Sequence, residues 1–423
     1  MRLNRGWFRV CMMVACVLCP LLSGQAGYAQ AGYGQAGGGV RVSSWYWLNS
    51  TDKAQWPRDF KAMKDLGLTD VVLVWGLDAV AFSTRVGDSH EAMRAAYKAG
   101  LGSYLFVWHA RHSALPHQEQ FQQVDAGGHV LFAFDVFNRE WRETQWKRYL
   151  QTLAREYGHE PGMAGYVFDN SFAIGNIGAI DGPAPSPAES YLSYGKAEAK
   201  MFGRQPPTSP EDPAWGAWTE ARQEWWAQWA KETRAAIRAI DPDPRHEIVL
   251  EDGENTIDPD AESRAGFTLG RVTSSFDTMT AYWAPRYSKD SAEKIGGDVR
   301  GYLARMRTAI GTDKPLGFTL RLSDDATEDL PGHADHPTLE QVEGAVDAAL
   351  AAGVRHIDLY GYRMGIYHLD GAGWRHYQPG TGREYPLTGQ VEGKFLADRP
   401  ELRDGLKAYL KKIETEGRPH ASR

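Results

Sequence analysis

The sequence predicts an α/β chain folded as a single (β/α)8 TIM barrel with long loop insertions after the fourth and eighth strands. Three observations predict it. Short β-branched or aromatic runs alternate with longer amphipathic stretches, which is the pattern of parallel strands joined by crossover helices. Eight such units follow one another between Arg41 and Thr415, the number that closes a barrel. No Gly-x-Gly-x-x-Gly turn follows the first strand, where a doubly wound open sheet would place a phosphate site.

In chain order, residues 1–29 read as a secretory signal peptide. Arg2, Arg5 and Arg9 precede an apolar run from Val10 to Leu22, and small residues then lead to a cut after Ala29, with Ala26 as the alternative. The run is too short to span a membrane. All three cysteines, Cys11, Cys16 and Cys19, lie inside it, so the exported chain is expected to hold no disulfide, thiolate metal site or cysteine nucleophile. Met13 is a poor lead residue for a lipid anchor on Cys16. Removing three arginines and no acids takes the formal charge from -7 to -10, and an acidic chain without a basic stripe is unsuited to nucleic acid. Residues 30–39 carry a Gln-Ala-Gly-Tyr repeat into glycines and read as a flexible linker. The barrel occupies residues 40–423.

Within it the strands are expected at Arg41 to Trp47, Asp70 to Trp75, Gly102 to Trp108, Ala164 to Phe168, His246 to Leu250, Thr278 to Trp283, Leu316 to Leu322 and His356 to Tyr360. Helical periodicity separates neighbouring strands, clearest over Pro57 to Leu66, His90 to Ala99, Arg139 to Tyr157, Trp218 to Ile240, Ala292 to Ile310 and Leu339 to Ala351, with Pro400 to Thr415 closing the ring. Trp218, Trp225 and Trp229 fall at helical spacing and read as core. A typical barrel needs only about 250 residues. The excess is expected in two insertions, Phe172 to Ala217 and Arg363 to Ala397, both over the C-terminal rim where barrel active sites form.

Two kinds of side chain recur at the strand ends. The first is aromatic: Trp45 and Trp47, Trp75, Trp108, Tyr282 with Trp283, and Tyr360. Flat rings on a rim suit the apolar faces of sugars, whose C–H groups stack on π-clouds while their polar edges stay free for hydrogen bonds. The second is acidic. Asp169 ends the apolar run Gly165-Tyr166-Val167-Phe168, Glu251 and Asp252 follow Ile248-Val249-Leu250, and Asp324 with Asp325 follows Leu320-Arg321-Leu322-Ser323. Glycoside hydrolysis needs a carboxyl pair, one member protonating the leaving oxygen and the other attacking the anomeric carbon or activating water. Asp252 and Glu254 compete with Glu251 for the inward position, because a one-residue register slip exchanges faces.

The stretch from Asn138-Arg139-Glu140-Trp141 through Tyr157-Gly158-His159-Glu160-Pro161-Gly162 to Gly165-Tyr166-Val167-Phe168-Asp169-Asn170 resembles the third helix and fourth strand of barrel beta-galactosidases and their relatives. In those enzymes the strand ends Asp-Asn-Glu and the Glu is the acid/base. This chain has Ser171 there, and a serine delivers no proton at neutral pH. Their nucleophilic Glu on strand seven is replaced by Ser323-Asp324-Asp325, so the resemblance does not imply beta-galactosidase activity. The carboxylate placement is more similar to alpha-amylase-type barrels, with an Asp nucleophile on strand four, a Glu acid/base on strand five and a stabilising Asp on strand seven. That similarity implies Asp169, Glu251 and Asp324 in those roles. Phe168-Asp169-Asn170-Ser171 also resembles the Tyr-Asp-Asn-Cys nucleophile segment of alpha-galactosidases, although their acid/base on strand six has no counterpart here. The amylase-type arginine two residues before the nucleophile is replaced by Val167.

Other chemistries find less support. His109-x-x-His112 follows the third strand without the His-Glu-x-x-His signature of a zinc site, and neither a Gly-x-Ser-x-Gly elbow nor a P-loop lysine pattern occurs. His109 is expected to bond a sugar hydroxyl, and neither metal nor cofactor is expected. The sequence therefore points to a secreted or periplasmic glycoside hydrolase acting on a poly- or oligosaccharide, by retention, with no membrane span. Asp169, Glu251 and Asp324 form its machinery. Trp45, Trp47, Trp108, His109, Asn170, Asp252, Trp283, Arg321 and Tyr360 are expected to contact substrate. The alternative, raised by Ser171, is a catalytically silent barrel that binds glycan.

Overall fold

The computed structural model describes residues 39–48, 53–74, 79–107, 121–124, 130–169, 195–252, 266–285, 287–322, 336–363, 368–369, 372–373, 375–377, 384–386 and 395–416. The expected signal peptide lies outside them, as do most of the linker and parts of both expected insertions. The strands β1 Arg41–Trp47, β2 Asp70–Val74, β3 Gly102–Val107, β4 Met163–Asp169, β5 Glu247–Asp252, β6 Thr278–Trp283, β7 Leu316–Arg321 and β8 His356–Arg363 form a closed barrel. Every pair is parallel and β8 returns to β1. Around it run α1 Trp56–Leu66, α2 Ala79–Ala99, α3 Lys147–Tyr157, α4 Lys196–Phe202, α5 Trp215–Arg238, α6 Leu269–Thr273, α7 Ala292–Ile310, α8 Leu339–Ala351 and α9 Pro400–Glu416. The expected (β/α)8 barrel is the fold.

Strand alternation sorts the core into two compartments. Inside the barrel lie Trp45, Trp47, Val72, Val74, Tyr104, Phe106, Val167 and Val249, while Tyr46, Leu73, Leu105, Tyr166 and Leu250 face the helices. Register partners climb the interior as tilted rows, because a sheet closes into a barrel only with its strands sheared. One row runs Arg41, His356, Gly317, Thr280, Glu251, Asp169. The next runs Asp70, Ser43, Asp358, Thr319, Tyr282. Two glycines sit where neighbouring strands leave no room for a side chain: a Cβ on Gly102 would stand 2.2 Å from Asp70 Oδ1, and one on Gly165 would stand 2.1 Å from the Glu247 carbonyl.

The helices form for local reasons. In α1, Trp56, Phe60, Met63 and Leu66 are buried at helical spacing, Pro stands in the first turn, and Gly67 ends the helix at φ 105° with its N–H on the Lys64 carbonyl. In α8, Thr338 and Gln341 form a reciprocal capping box. The strand and helix boundaries otherwise shift by one or two residues, except that α2 begins at Ala79 instead of His90 and α5 at Trp215 instead of Trp218; there are four further differences. The fifth strand begins at Glu247 and carries Glu251 and Asp252 within it. The eighth continues to Arg363, so Tyr360 is internal. A hairpin of Gln122–Val124 with Val130–Phe134 precedes the fourth unit. Arg142–Trp146 is π-helical, which brings Trp141 and Trp146 into a stack at 5.5 Å and buries Arg142 against Glu232 and the Val136 carbonyl. In α5, Trp218 and Trp229 are buried as expected, Trp225 is half-buried and packs on the core edge-on to Phe137 at 5.4 Å, and Trp226 adds a further buried ring.

Candidate active site

The C-terminal mouth is built on the two tilted rows. Asp169 pairs in register with Glu251 across β4 and β5. Glu251 is 4% exposed, and its Oε2 accepts a hydrogen bond from the Thr319 hydroxyl at 2.6 Å. Thr319 sits mid-strand in β7, fully buried. Its register partner on β8 is Asp358.

Asp358 is the functional candidate that strand-end reasoning missed. It lies inside its strand, 4% exposed, and accepts hydrogen bonds from the Ser43 hydroxyl at 3.0 Å and from the Trp45 indole N–H. Burial pushes its carboxyl up to about 7 against the opposing pull of those donors. The detectable signal was an acid at an inward position of the otherwise apolar run His356-Ile357-Asp358-Leu359, since a carboxylate is seldom buried unpaired.

The expected aromatics separate into two groups. Trp45 is 4% exposed and packs on Phe106 at 4.5 Å and edge-on to Tyr360 at 4.7 Å, so it forms the inner wall beneath the mouth. Trp47, also buried, lies 6.4 Å from it. The β8–β1 register jumps between Ser44–Leu359 and Tyr46–Arg363, a bulge beside Trp45 and Tyr360 of the sort that re-aims side chains near sites. Trp283 is not brought to this group. Strand parity turns it outward, against Tyr302 of α7 at 6.5 Å, and Tyr282 takes the inward place. The Tyr282 hydroxyl accepts from Arg321 Nη1 at 3.3 Å, and its ring meets Tyr360 edge-on at 6.1 Å. Arg321 is buried and lies 5.9 Å from the Tyr360 ring. Trp75, Trp108, His109, Asn170 and Asp324 lie outside the described residues.

Below these residues the interior remains polar. His356 Nε2 is 2.9 Å from Ser43 Oγ and its ring stacks on Tyr104 at 5.6 Å. Burial, followed by the nearby Arg41 charge, lowers the His356 ring to about 4, so it is neutral at pH 7. The Tyr104 hydroxyl donates to Glu247 at 2.6 Å, and Arg41 bridges Glu247 and Asp70 at the N-terminal end. Hydrogen bonds thus join His356 to Asp358 through Ser43 and, separately, Thr319 to Glu251. Among the described residues no helix is long and apolar enough to cross a membrane.

No protein-family model and no curated protein sequence matches the chain. Solved structures do. The beta-galactosidase of the psychrophilic Marinomonas ef1 superposes with a TM-score of 0.58 at 14% identity, covering 90% of this chain and 61% of its own. The polyextremophilic beta-galactosidase of the Antarctic haloarchaeon Halorubrum lacusprofundi gives 0.60 at 16% identity, covering 88% and 58%. A GH5_18 protein from Streptomyces cattleya in complex with GlcNAc gives 0.53 at 13% identity, covering 90% of this chain and 82% of its own. The chain therefore spans less than two thirds of the length of the two beta-galactosidases. At such identities the likeness concerns architecture: the chain shares the barrel fold of these glycoside hydrolases.

Proposed function

We propose that the chain is an exported, retaining glycoside hydrolase that cleaves a poly- or oligosaccharide with Asp169 as nucleophile and Glu251 as acid/base. The observation that carries this reading is the register pairing of Asp169 with Glu251 at the C-terminal ends of β4 and β5. Neighbouring strands run about 4.8 Å apart. Retaining pairs stand about 5–5.5 Å apart, whereas inverting pairs leave about 6.5–9.5 Å for a water. In this reading Glu251 gives its proton to the glycosidic oxygen while Asp169 attacks the anomeric carbon, and Glu251 then takes a proton from the water that releases the sugar. Asp324 stabilises the cationic sugar ring. Arg321, Tyr282 and Tyr360 offer donors and ring faces to the sugar, with Trp108, His109 and Asn170 completing the mouth. The fold likeness to glycoside hydrolases, one solved with GlcNAc, supports a carbohydrate substrate.

The test is product release from a glycan panel by wild type, Asp169→Asn and Glu251→Gln, with the anomer followed by NMR. Wild-type cleavage with net retention, lost by about a thousandfold or more in Asp169→Asn, supports the reading. Binding without turnover by wild type, unchanged in Asp169→Asn, replaces it with a glycan-binding barrel.

A further inference from the structure

Between the register pairs Ser44–Leu359 and Tyr46–Arg363, Trp45 alone faces Tyr360, Gly361 and Tyr362 of β8. On that side the bulge leaves the orientation of the Trp45 ring to side chains. The bond that sets it comes from Asp358. The Trp45 indole N–H donates to Asp358 Oδ2, and Ser43, from the same strand β1, donates to Oδ1 at 3.0 Å. An indole N–H can only donate, so a buried one needs an acceptor, and a buried carboxyl needs donors in return. Trp45 and Asp358, each 4% exposed, meet both needs at once. Gly361 lets the bulged strand close down on this ring: a Cβ there would stand 3.4 Å from Trp45 Cβ and from its carbonyl oxygen, and 3.6 Å from Phe395 Cδ1.

Trp45 in turn carries Tyr360. Their rings meet edge-on at 4.7 Å, and Phe106 backs Trp45 at 4.5 Å. Trp45 is buried, whereas Tyr360 is half-buried and pairs in register with Arg321 at the end of β7. Its ring lies 6.1 Å from that of Tyr282 and 5.9 Å from the Arg321 guanidinium. We propose that Asp358 is a positioning residue for sugar binding: by anchoring the Trp45 indole it sets the ring of Tyr360, on which an apolar pyranose face rests at the mouth. The inference rests on the carbohydrate reading of that mouth and is independent of which carboxylate attacks. Tyr360 touches the sugar, and Asp358 and Trp45 act through it. A ring held in place before the sugar arrives gives its full stacking energy, because none is spent on ordering it during binding. The anchor needs only one acceptor atom on Asp358. A neutral side chain of the same shape can accept from the indole with one atom and donate to the Ser43 oxygen with the other.

The experiment is a double-mutant cycle of Asp358→Leu and Tyr360→Ala, read as Kd for the oligosaccharide that wild type retains most strongly from a glycan array. Leucine keeps the bulk of the side chain and removes the acceptor. Each single variant should weaken binding about tenfold, and the double variant about tenfold as well, instead of the roughly hundredfold expected of independent sites. Asp358→Asn keeps an acceptor for the indole and should stay within about twofold of wild type. Indole N–H signals in the NMR spectrum read the anchor without sugar. The signal that Trp45→Phe removes should stand at a hydrogen-bonded, downfield position in wild type and Asp358→Asn, and move upfield in Asp358→Leu. Losses that multiply in the double variant, or an indole signal indifferent to Asp358→Leu, overturn the positioning and leave the carbohydrate reading standing. Wild type that retains no sugar from the array overturns that reading and the proposal with it. If Asp358→Leu does not fold, Trp45→Phe, which removes the donor instead of the acceptor, takes its place in the cycle with the same expected and contrary results.

Discussion

Asp358 is a carboxyl that the barrel interior prefers neutral, and this has a consequence for stability. Its folded value lies near 7 and its ordinary value near 3.8, with burial the main cause. The folded state holds the proton across that window while the unfolded state has lost it, so stability falls as pH rises from about 4 to 7, by up to about 1.4 kcal/mol per unit. Asp358→Asn should flatten this fall. Urea unfolding of both proteins at pH 4.5 and 7.5 measures it, and equal losses in the two would contradict the assignment. His356 acts with the opposite sign. Its ring is lowered from 6.5 to about 4 by burial, so its contribution is lost as pH drops through that range, and His356→Gln should retain more of its stability at pH 4.5 than wild type does.

At the scale of elements, the capping box on α8 gives a clean number. Thr338→Ala removes the side chain that accepts from the Gln341 N–H, and should cost about 1 kcal/mol by denaturation with activity unaltered. The barrel strands were legible because each carries an inward and an outward apolar set, as Trp45 and Tyr46 or Val167 and Phe168 show. What escaped was parity and interior position. Tyr282 and Trp283 are equally plausible in sequence, and only β6 pairing with β7 decides that Tyr282 faces Arg321. Asp358 escaped because attention to strand ends passes over an acid buried mid-strand. The π-helical turn at Arg142–Trp146 has no signature in local propensity; within it Trp146 reaches Thr233 at 2.9 Å and stacks on Trp141.

For the whole molecule, closure between the first and last strands is tied from outside as well as by backbone pairing. Asp59 of α1, 2% exposed, accepts from Tyr46 of β1 at 2.9 Å and from Arg363 of β8 at 2.6 Å. Asp59→Ala would leave the Arg363 charge and the Tyr46 hydroxyl without this acceptor. The expected cost is about 3 kcal/mol, the lower end for a broken buried pair because Arg363 is 20% exposed. A drop in Tm with one cooperative transition checks it; an unchanged Tm would show that backbone pairing alone closes the ring. Within that ring the bulged β8–β1 junction, the Thr319 hydroxyl on Glu251 and the Asp169–Glu251 pairing occupy one end of the interior, which is where a (β/α)8 scaffold does its chemistry.

The most direct test of that pairing is covalent trapping. A 2-fluoro glycoside of the sugar that the enzyme cleaves slows release of a glycosyl-enzyme intermediate, and peptide mass spectrometry locates the bond. The account predicts one sugar per chain on Asp169, absent in Asp169→Asn. An adduct on Asp252, Glu254 or Asp324, or inactivation with no adduct at all, would contradict it.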